Sequence, residues 1–510
     1  LNIITILDPV WSQCSNIHAI KDCLKYSGER IVHGPYSIKK IPTESFLCKH
    51  DKRVEKGLFL TGLLPRVLEY CSRKGFSCEV DGRGIEKIKF SKPSLPGITF
   101  RDDQYDLILD VRRELRGVVK SPTGSGKTVL AGAIISMLPA SKIVFTLHTE
   151  SIFSQTIKEF QNWFGEEEVG WVGDDQFNVR RITVLMVQSV DSLLSEKARK
   201  KRVPKPKDIP EDETEKQREK RLKKEKQNEK QNKKNREKSA KKKKINKEIL
   251  LDLLTDADAL IIDECHHLGE EKGRYVSLLK NCLSPIRVGL SATPQKEGKK
   301  MLVCEGYLGP IIGEFTMEEG IKQGILAKPK VKLIPVPINP AISALRKYQD
   351  QYRYGIIENK ARNRLIAREI HLQNKAGKSV LVTVLDVEHG HAEMIQKIAK
   401  DVYGIDVEFV YGATDKKDRD VLKSRLESKD TMAAISTTVW FEGTNIKSLD
   451  VVVMGHGGKS DIMTEQAPGR GLRTTELKKD LLIVDFLDPY SYLAQHAIQR
   501  LRIYTEKGWL

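Results

Sequence analysis

Cysteine is scarce in this chain of 510 residues, and aromatic residues make up only 6% of it. The eight cysteines, Cys14, Cys23, Cys48, Cys71, Cys78, Cys265, Cys282 and Cys304, form no CxxC pair and no regular framework. A disulfide-stapled secreted scaffold is therefore excluded, and reduced thiols are expected. No run of eighteen apolar residues occurs, and no charged-then-apolar leader is present, so neither a membrane span nor a secretion signal is expected. The chain starts at Leu1, as it would if an initiator or tag residue preceded it. These absences together point to a cytoplasmic protein.

Acidic charge is also in deficit, with a formal net charge of +18. Residues 196–248 alone hold 24 Lys and Arg against 11 Asp and Glu. Aliphatics are sparse there (Val203, Ile209, Leu222, Ile245) and aromatics are missing, so this stretch cannot build a packed core. Two forms are open to it: an exposed helix from about Glu211 to Lys244, supported by i,i+4 pairs, or a polybasic loop. Either could add sequence-independent contacts to phosphate or be a solvated appendage.

What the chain has in quantity is short apolar runs alternating with helical stretches, which predicts an α/β fold with parallel sheets. The first expected unit, residues 1–95, is a small α+β domain whose Lys21, Lys25, Lys39, Lys40, Lys49, Lys52, Arg53 and Lys56 could meet nucleic acid. A first α/β lobe is expected over 96–318, carrying the polybasic insertion, and a second over 319–510. Residues 306–329 read as the segment crossing between the lobes.

Ser121-Pro-Thr-Gly-Ser-Gly-Lys-Thr128 lies between the apolar run Arg116-Gly-Val-Val-Lys120 and the apolar helix pattern Val129-Leu-Ala-Gly-Ala-Ile-Ile135. Glycines where a strand turns into a helix N-terminus let backbone N–H groups converge on phosphate, helped by the helix dipole. Thr123, Gly124, Ser125 and Gly126 would form the cradle. Lys127 would reach the β- and γ-phosphates of ATP, and Thr128 would offer its hydroxyl to Mg²⁺.

Asp263 and Glu264 follow the run Ala259-Leu-Ile-Ile262 and so stand at the carboxyl end of a strand, where open α/β sheets bind ligands. Asp263 is placed to hold Mg²⁺ and Glu264 to orient or deprotonate the attacking water. A zinc site at His266 and His267 is disfavoured, because no second Cys/His cluster completes four ligands. Near the C-terminus, Gln466-Ala-Pro-Gly-Arg-Gly-Leu-Arg473 places Arg470 and Arg473 three residues apart, on one face if the segment is helical. From another lobe they could stabilise charge developing on a γ-phosphate.

In this order the phosphate loop, Asp263-Glu-Cys-His, Ser291-Ala-Thr293 and Gln-x-x-Gly-Arg-x-x-Arg resemble superfamily 2 helicases of the DExH type, from about residue 97 to the end. Trp440-Phe-Glu-Gly-Thr-Asn-Ile-Lys-Ser-Leu449, Val451-Val-Val-Met-Gly-His-Gly-Gly-Lys-Ser460 and Tyr492-Leu-Ala-Gln-His-Ala-Ile-Gln-Arg500 with Tyr504 resemble the phage UvsW-type branch-migration helicases. The resemblance implies two RecA-like lobes and a DNA-stimulated ATPase acting on forks, D-loops, R-loops and four-way junctions, in a host bacterial cytosol. It also implies adenine recognition by Arg101 and Gln104, nucleotide contact by Glu442 and Gly443, catalytic participation of Gln466, and coupling of nucleotide state to strand binding through Ser291, Thr293 and Asn445. Asn445 stands where many relatives have Asp, and Pro468 interrupts the last motif. An RNA helicase of the DExH type, a restriction or nuclease motor subunit, and a non-enzymatic nucleic-acid binder are the alternatives.

Overall fold

The computed structural model describes residues 2–33, 38–50, 56–82, 88–139, 141–174, 176–195, 241–268, 273–294, 297–440, 446, 448–458, 464, 467–469, 471–474 and 478–510. The N-terminal strands are β1 (Asn2–Ile6), β2 (Trp11–Cys14), β3 (Lys25–His33), β4 (Ile38–Phe46), β5 (Cys48–His50), β6 (Gly57–Leu60) and β7 (Cys78–Asp81). Five of them form one sheet in the order β5-β6-β2-β1-β7, and β3 and β4 pair as a separate hairpin. Helix Leu64–Lys74 buries Val67 and Cys71 and stops at Gly75, whose φ of 71° is open to glycine at little steric cost. The expected α+β unit is thus present. Part of its basic charge is engaged internally: Lys21 lies over the Phe46 ring, Lys49 over Trp11, and Lys25 pairs with Glu44.

Eight strands build the next sheet: β8 (Arg116–Lys120), β9 (Ile143–Leu147), β10 (Val169–Gly173), β11 (Gln176–Asn178), β12 (Ile182–Met186), β13 (Ala259–Asp263), β14 (Ile286–Ser291) and β15 (Ile311–Glu314). Their order is β11-β10-β12-β9-β13-β14-β8-β15, parallel throughout except for the β10–β11 pair. Every residue of β9, β12, β13 and β14 is buried, which is why these segments read as continuous apolar runs rather than alternating ones. β15 corrects the reading of 306–329 as a free crossing segment. Residues Ile311–Glu314 add a strand beside β8, and the helix that follows, Met317–Lys322, packs Met317 and Ile321 against the core of the second lobe. A four-residue strand with only one buried residue carries too weak a period for sequence patterning to find.

The third sheet holds β16 (Lys328–Pro335), β17 (Val380–Thr383), β18 (Glu408–Val410), β19 (Ala433–Ser436), β20 (Val451–Met454) and β21 (Asp480–Leu487). All its pairs are parallel, in the order β16-β21-β20-β17-β19-β18. Most of the polybasic insertion lies outside the described residues. From residue 241 the chain is helical to residue 256, with Leu250, Leu253 and Leu254 buried.

The N-terminal unit does not stand apart from the eight-stranded sheet. Ile4, Phe59, Leu60 and Leu63 share one apolar core with Leu302, Tyr307 and Leu308 of helix Gly298–Leu308. Arg66 donates to Glu305 of that helix through Nε at 2.9 Å and Nη2 at 2.6 Å, and Arg116 of β8 reaches back to the Pro9 carbonyl at 3.2 Å. Backbone meets backbone there: a Cβ on Gly62 would lie 2.2 Å from the Glu305 carbonyl oxygen.

Candidate active site

The buried centre of β8 delivers the chain into Ser121–Gly126, and helix Lys127–Ser136 begins immediately after. Residues Leu130 to Ile135 of that helix are all buried, each large aliphatic side chain contributing about 1.5–3 kcal/mol, so the helix N-terminus is rigidly held. Gly124 and Gly126 have φ of 90° and 97°, in the left-handed region, and a Cβ on Gly126 would sit 2.8 Å from Gln104 Nε2. Ser125 Oγ donates to the Pro122 carbonyl at 2.7 Å and also bonds Ser121 Oγ. From outside, Arg101 Nη2 and Gln104 Nε2 both donate to the Ser125 carbonyl, at 2.7 and 3.3 Å. Arg101 is itself oriented by Asp103, 2.9 Å from its Nε. Arg101 and Gln104 therefore brace the loop backbone in this structure.

The end of β13 faces this loop. Glu264 Oε1 lies 3.3 Å from Lys127 Nζ, and Glu264 takes φ of 49°, an uncommon conformation for a residue with a side chain. Its N–H donates to Asp263 Oδ1 at 3.0 Å. Burial, reinforced by the neighbouring Glu264 charge, pushes the Asp263 carboxyl up to about 7, against the pull of Lys127. His266 Nδ1 lies 3.1 Å from Ser291 Oγ and 3.3 Å from Glu264 Oε2, and Thr293 N–H donates to the same Ser291 Oγ at 3.1 Å. Thr128 sits half-buried in the first turn of the helix. Among the described residues no group of three His, Cys, Asp or Glu could hold a metal by itself.

The last motif comes to the phosphate loop from the six-stranded sheet. A Cβ on Gly469 would lie 3.1 Å from Thr123 Cβ, and one on Gly124 would lie 3.2 Å from Arg473 Cγ and 3.3 Å from Leu326 Cδ2. Burial lowers the Arg473 pKa, with Glu159 and Glu427 pulling it back, and no acceptor hydrogen-bonds its Nε among the described residues. The condition on which Arg470 and Arg473 would share one face is not met at Arg473, which is not helical. Among the described residues the helix runs to Gly469, Gly471 N–H turns back to the Pro468 carbonyl, and Arg473 makes an extended bridge to Leu326. Ala327 N–H donates to the Leu472 carbonyl at 2.6 Å and holds this stretch beside Leu326 in extended form. Arg470, Gln466, Glu442, Gly443 and Asn445 lie outside the described residues.

Behind this motif lies a buried polar network whose partners the sequence did not disclose, although Arg500 and Tyr504 carry part of the resemblance. Arg500 donates to Asp485 through Nε at 2.8 Å and Nη2 at 3.0 Å, Tyr504 Oη donates to Asp485 at 2.9 Å, and Arg500 Nη1 reaches the Gly458 carbonyl at 2.8 Å. Arg362 bonds Asp488 at 2.9 Å and the Gly455 carbonyl at 2.6 Å, and Tyr352 Oη donates to the His456 carbonyl at 2.8 Å. These donors pin the chain as it leaves β20 on its way to the last motif. The available signal was the pair Asp485 and Asp488 at the end of an otherwise apolar strand. His148, directly after β9, was also missed; its ring stacks on His267 at 4.1 Å.

Residues 97–296 match the family model described as type III restriction enzyme, res subunit, and residues 361–475 match the helicase conserved C-terminal domain. The two matched regions are similar to the motor domains of superfamily 2 helicases. The chain is 22% identical over 431 residues to the DNA 3'-5' translocase XPB2 of Sulfurisphaera tokodaii, covering 76% of this chain and 82% of that one. It is 26% identical over 266 residues to the ATP-dependent DNA helicase uvsW of Enterobacteria phage T4, covering 48% of this chain and 52% of that one. The solved structure of the DUF1998 helicase MrfA bound to DNA and AMPPNP shares the fold, with a TM-score of 0.52 and 16% identity over 80% of this chain and 51% of that one. The helicase is thus an ATP-hydrolysing, nucleic-acid-dependent enzyme built on two RecA-like sheets. No described helix in it is long and apolar enough to cross a membrane.

Proposed function

We propose that this helicase couples ATP hydrolysis to movement on DNA and remodels branched DNA such as forks, D-loops, R-loops and four-way junctions. The observation that carries the reading is the meeting of Lys127 and Glu264, from one sheet, with Arg473, from the other, around one phosphate loop. The residues fit a nucleotide polyphosphate: Lys127 Nζ is buried with no hydrogen-bond acceptor among the described residues, and two glycines leave the loop N–H groups accessible. Mg²⁺ held with the nucleotide by Thr128 and Asp263 would neutralise phosphate charge.

Lys127 holds Glu264 in an ion pair, so the carboxylate is restrained until phosphate draws the ammonium away. Glu264 then orients the attacking water and accepts its proton, while Arg473, with Arg470, meets charge developing on the γ-phosphate. Gln466, Glu442 and Gly443 complete the nucleotide side, and Arg101 and Gln104 read the base while bracing Ser125. Ser291, Thr293 and Asn445 link this chemistry to the bound strand, with Ser291 acting through His266. Sheet boundaries support domains at 1–95, 96–318 and 319–510. Backbone phosphate dominates the contact with DNA, so sequence preference is weak. The polybasic insertion contributes salt-sensitive affinity, and the protein works in the cytoplasm, that of a bacterial host if phage-encoded.

DNA is favoured over RNA by the activities stated in the names of the two relatives, translocase and helicase on DNA. The test is ATP hydrolysis by wild type and Lys127→Ala with no nucleic acid, linear duplex, forked DNA, a four-way junction and structured RNA at one salt concentration. Strong stimulation by fork or junction, absent in the variant, is expected. Stimulation chiefly by RNA would reassign the substrate. The family description of residues 97–296 favours one second reading, a restriction motor, which ATP-dependent cleavage of linear duplex would reveal.

A further inference from the structure

The register of β9 on β13 pairs Thr146 with Ile262, so the chain leaves β9 at His148 beside the point where it leaves β13 at Glu264. The two exits touch through their side chains. His267 stacks on His148 with centroids 4.1 Å apart and planes 17° apart, and Tyr275 of helix Arg274–Asn281 lies parallel to His148 at 6.1 Å. His266 packs against His267 at 4.2 Å and is the ring that faces Ser291 and Glu264. The His267 N–H also donates to the Glu264 carbonyl at 3.1 Å, which ties the stacked ring to the residue held at a φ of 49°.

On its other side His148 leads directly into helix Glu150–Phe164, and Gln188 Nε2 holds its carbonyl at 2.6 Å. That helix faces helix Lys416–Ser428 of the six-stranded sheet across a cavity of about 340 Å³, lined by Glu150, Ser154, Lys158, Arg419, Lys423 and Trp440. Lys416 Nζ donates to Ser154 Oγ across it. Any closing of the two sheets on one another therefore pushes on the helix that begins two residues after His148.

We propose that His148, His267 and Tyr275 are positioning residues, a ring stack that carries the closing of the two lobes to Glu264 and sets the backbone geometry from which its carboxylate acts. The inference rests on the reading of Glu264 as the residue that handles the water. His266, rather than any of these three, is the ring that faces Glu264 Oε2. The three act because rings already in contact cannot be pushed closer, so a shift of the helix after His148 along the stacking direction is passed to His267 and through its backbone N–H to Glu264.

The test is a double-mutant cycle on ATP turnover in the presence of forked DNA, using His148→Ala, His267→Ala, the pair together and His267→Phe. Each alanine is expected to lower kcat on the order of tenfold with little change in KM for ATP, since misplacement of a reacting group by a fraction of an ångström costs rate rather than binding. The pair should be no worse than either single variant, and His267→Phe, which keeps a flat ring, should retain most of the rate. Additive losses, or a phenylalanine variant as slow as alanine, would overturn the proposal. Where an alanine variant fails to fold, His148→Phe and His267→Phe ask the same question: both must retain turnover. Glu264→Gln separates the two layers of argument. If it still turns over ATP, the reading of Glu264 fails; if it is inactive while the cycle is additive, only the stack fails.

Discussion

Gly469 packs against Thr123 so closely that a side chain on it would start 3.1 Å from Thr123 Cβ. The contact joins the last motif of the six-stranded sheet to the phosphate loop of the eight-stranded one. Gly469→Val is therefore expected to hold the two lobes apart, lowering DNA-stimulated ATP turnover by at least about tenfold while ATP still binds. Measuring ATP affinity and kcat on the same variant decides it. An unchanged kcat would mean that hydrolysis does not need this approach.

Lys127→Ala and Glu264→Gln should fail at different points. The first removes the cation that reaches phosphate and should weaken nucleotide binding as well as turnover. The second keeps the shape but cannot accept a proton, so turnover should drop by roughly a hundredfold or more with ATP binding retained. DNA binding should survive in both. Filter binding and steady-state kinetics distinguish these patterns, and substantial turnover by Glu264→Gln would remove the water-handling role.

Breaking the Arg500–Asp485 pair should cost stability. Both side chains are essentially fully buried, and a buried pair that loses one partner leaves an uncompensated charge, a penalty of about 3–5 kcal/mol. Arg500→Ala should lower the melting temperature well below that of a surface control such as Arg73→Ala, whose salt bridge to Glu69 is exposed. Equal melting temperatures would contradict the account.

Acid should unfold the six-stranded region through two histidines. Burial, with Arg362 nearby, lowers the His391 pKa to about 3, and burial with Arg500 nearby does the same to His456. The unfolded chain protonates both near pH 6.5, whereas the folded chain refuses the proton. Their contribution is complete above about pH 6.5 and is lost as pH falls from there toward 3, at up to roughly 1.4 kcal/mol per pH unit for each. Melting temperatures between pH 7.5 and 5 should fall, and His456→Gln should flatten that dependence; an unaltered slope would exclude His456 as a source.

A side chain at Gly62 should pry the N-terminal unit off helix Gly298–Leu308. Its Cβ would lie 2.2 Å from the Glu305 carbonyl oxygen, and backbone cannot yield as a flexible side chain can. Gly62→Ala is expected to destabilise by about 1–3 kcal/mol and to speed proteolytic separation of the N-terminal unit. Arg66→Ala, which removes only the Glu305 ion pair, should do less. Limited proteolysis compares the two.

Much of the site was legible because its parts are local. A phosphate loop needs small residues, Lys and Thr within one turn of chain, and a carboxylate pair at a strand end announces itself by the apolar run before it. The strands were legible for the same reason: segments buried on both faces have almost no polar residues, as in β13 and β14. The three-residue spacing of Arg470 and Arg473 gives a shared face only on a helix, and Arg473 instead takes an extended bridge to Leu326, a partner far off in the chain that spacing does not encode. β15 escaped notice because a single buried residue leaves no pattern.

The sequence by itself determined which chemistry this protein can perform, because nucleotide binding depends on residues adjacent in the chain and on apolar runs that must become buried strands. Tertiary structure alone decided what those residues act upon. That Gly469 and Arg473 meet Thr123 and Gly124, that His148 stacks on His267, that Arg500 finds Asp485, and that Gly62 lies against Glu305 all follow from strand order and the packing of one sheet against another. Those contacts join residues far apart in the chain, and no periodicity or spacing encodes them; they exist because close packing of the cores leaves these groups no other neighbours.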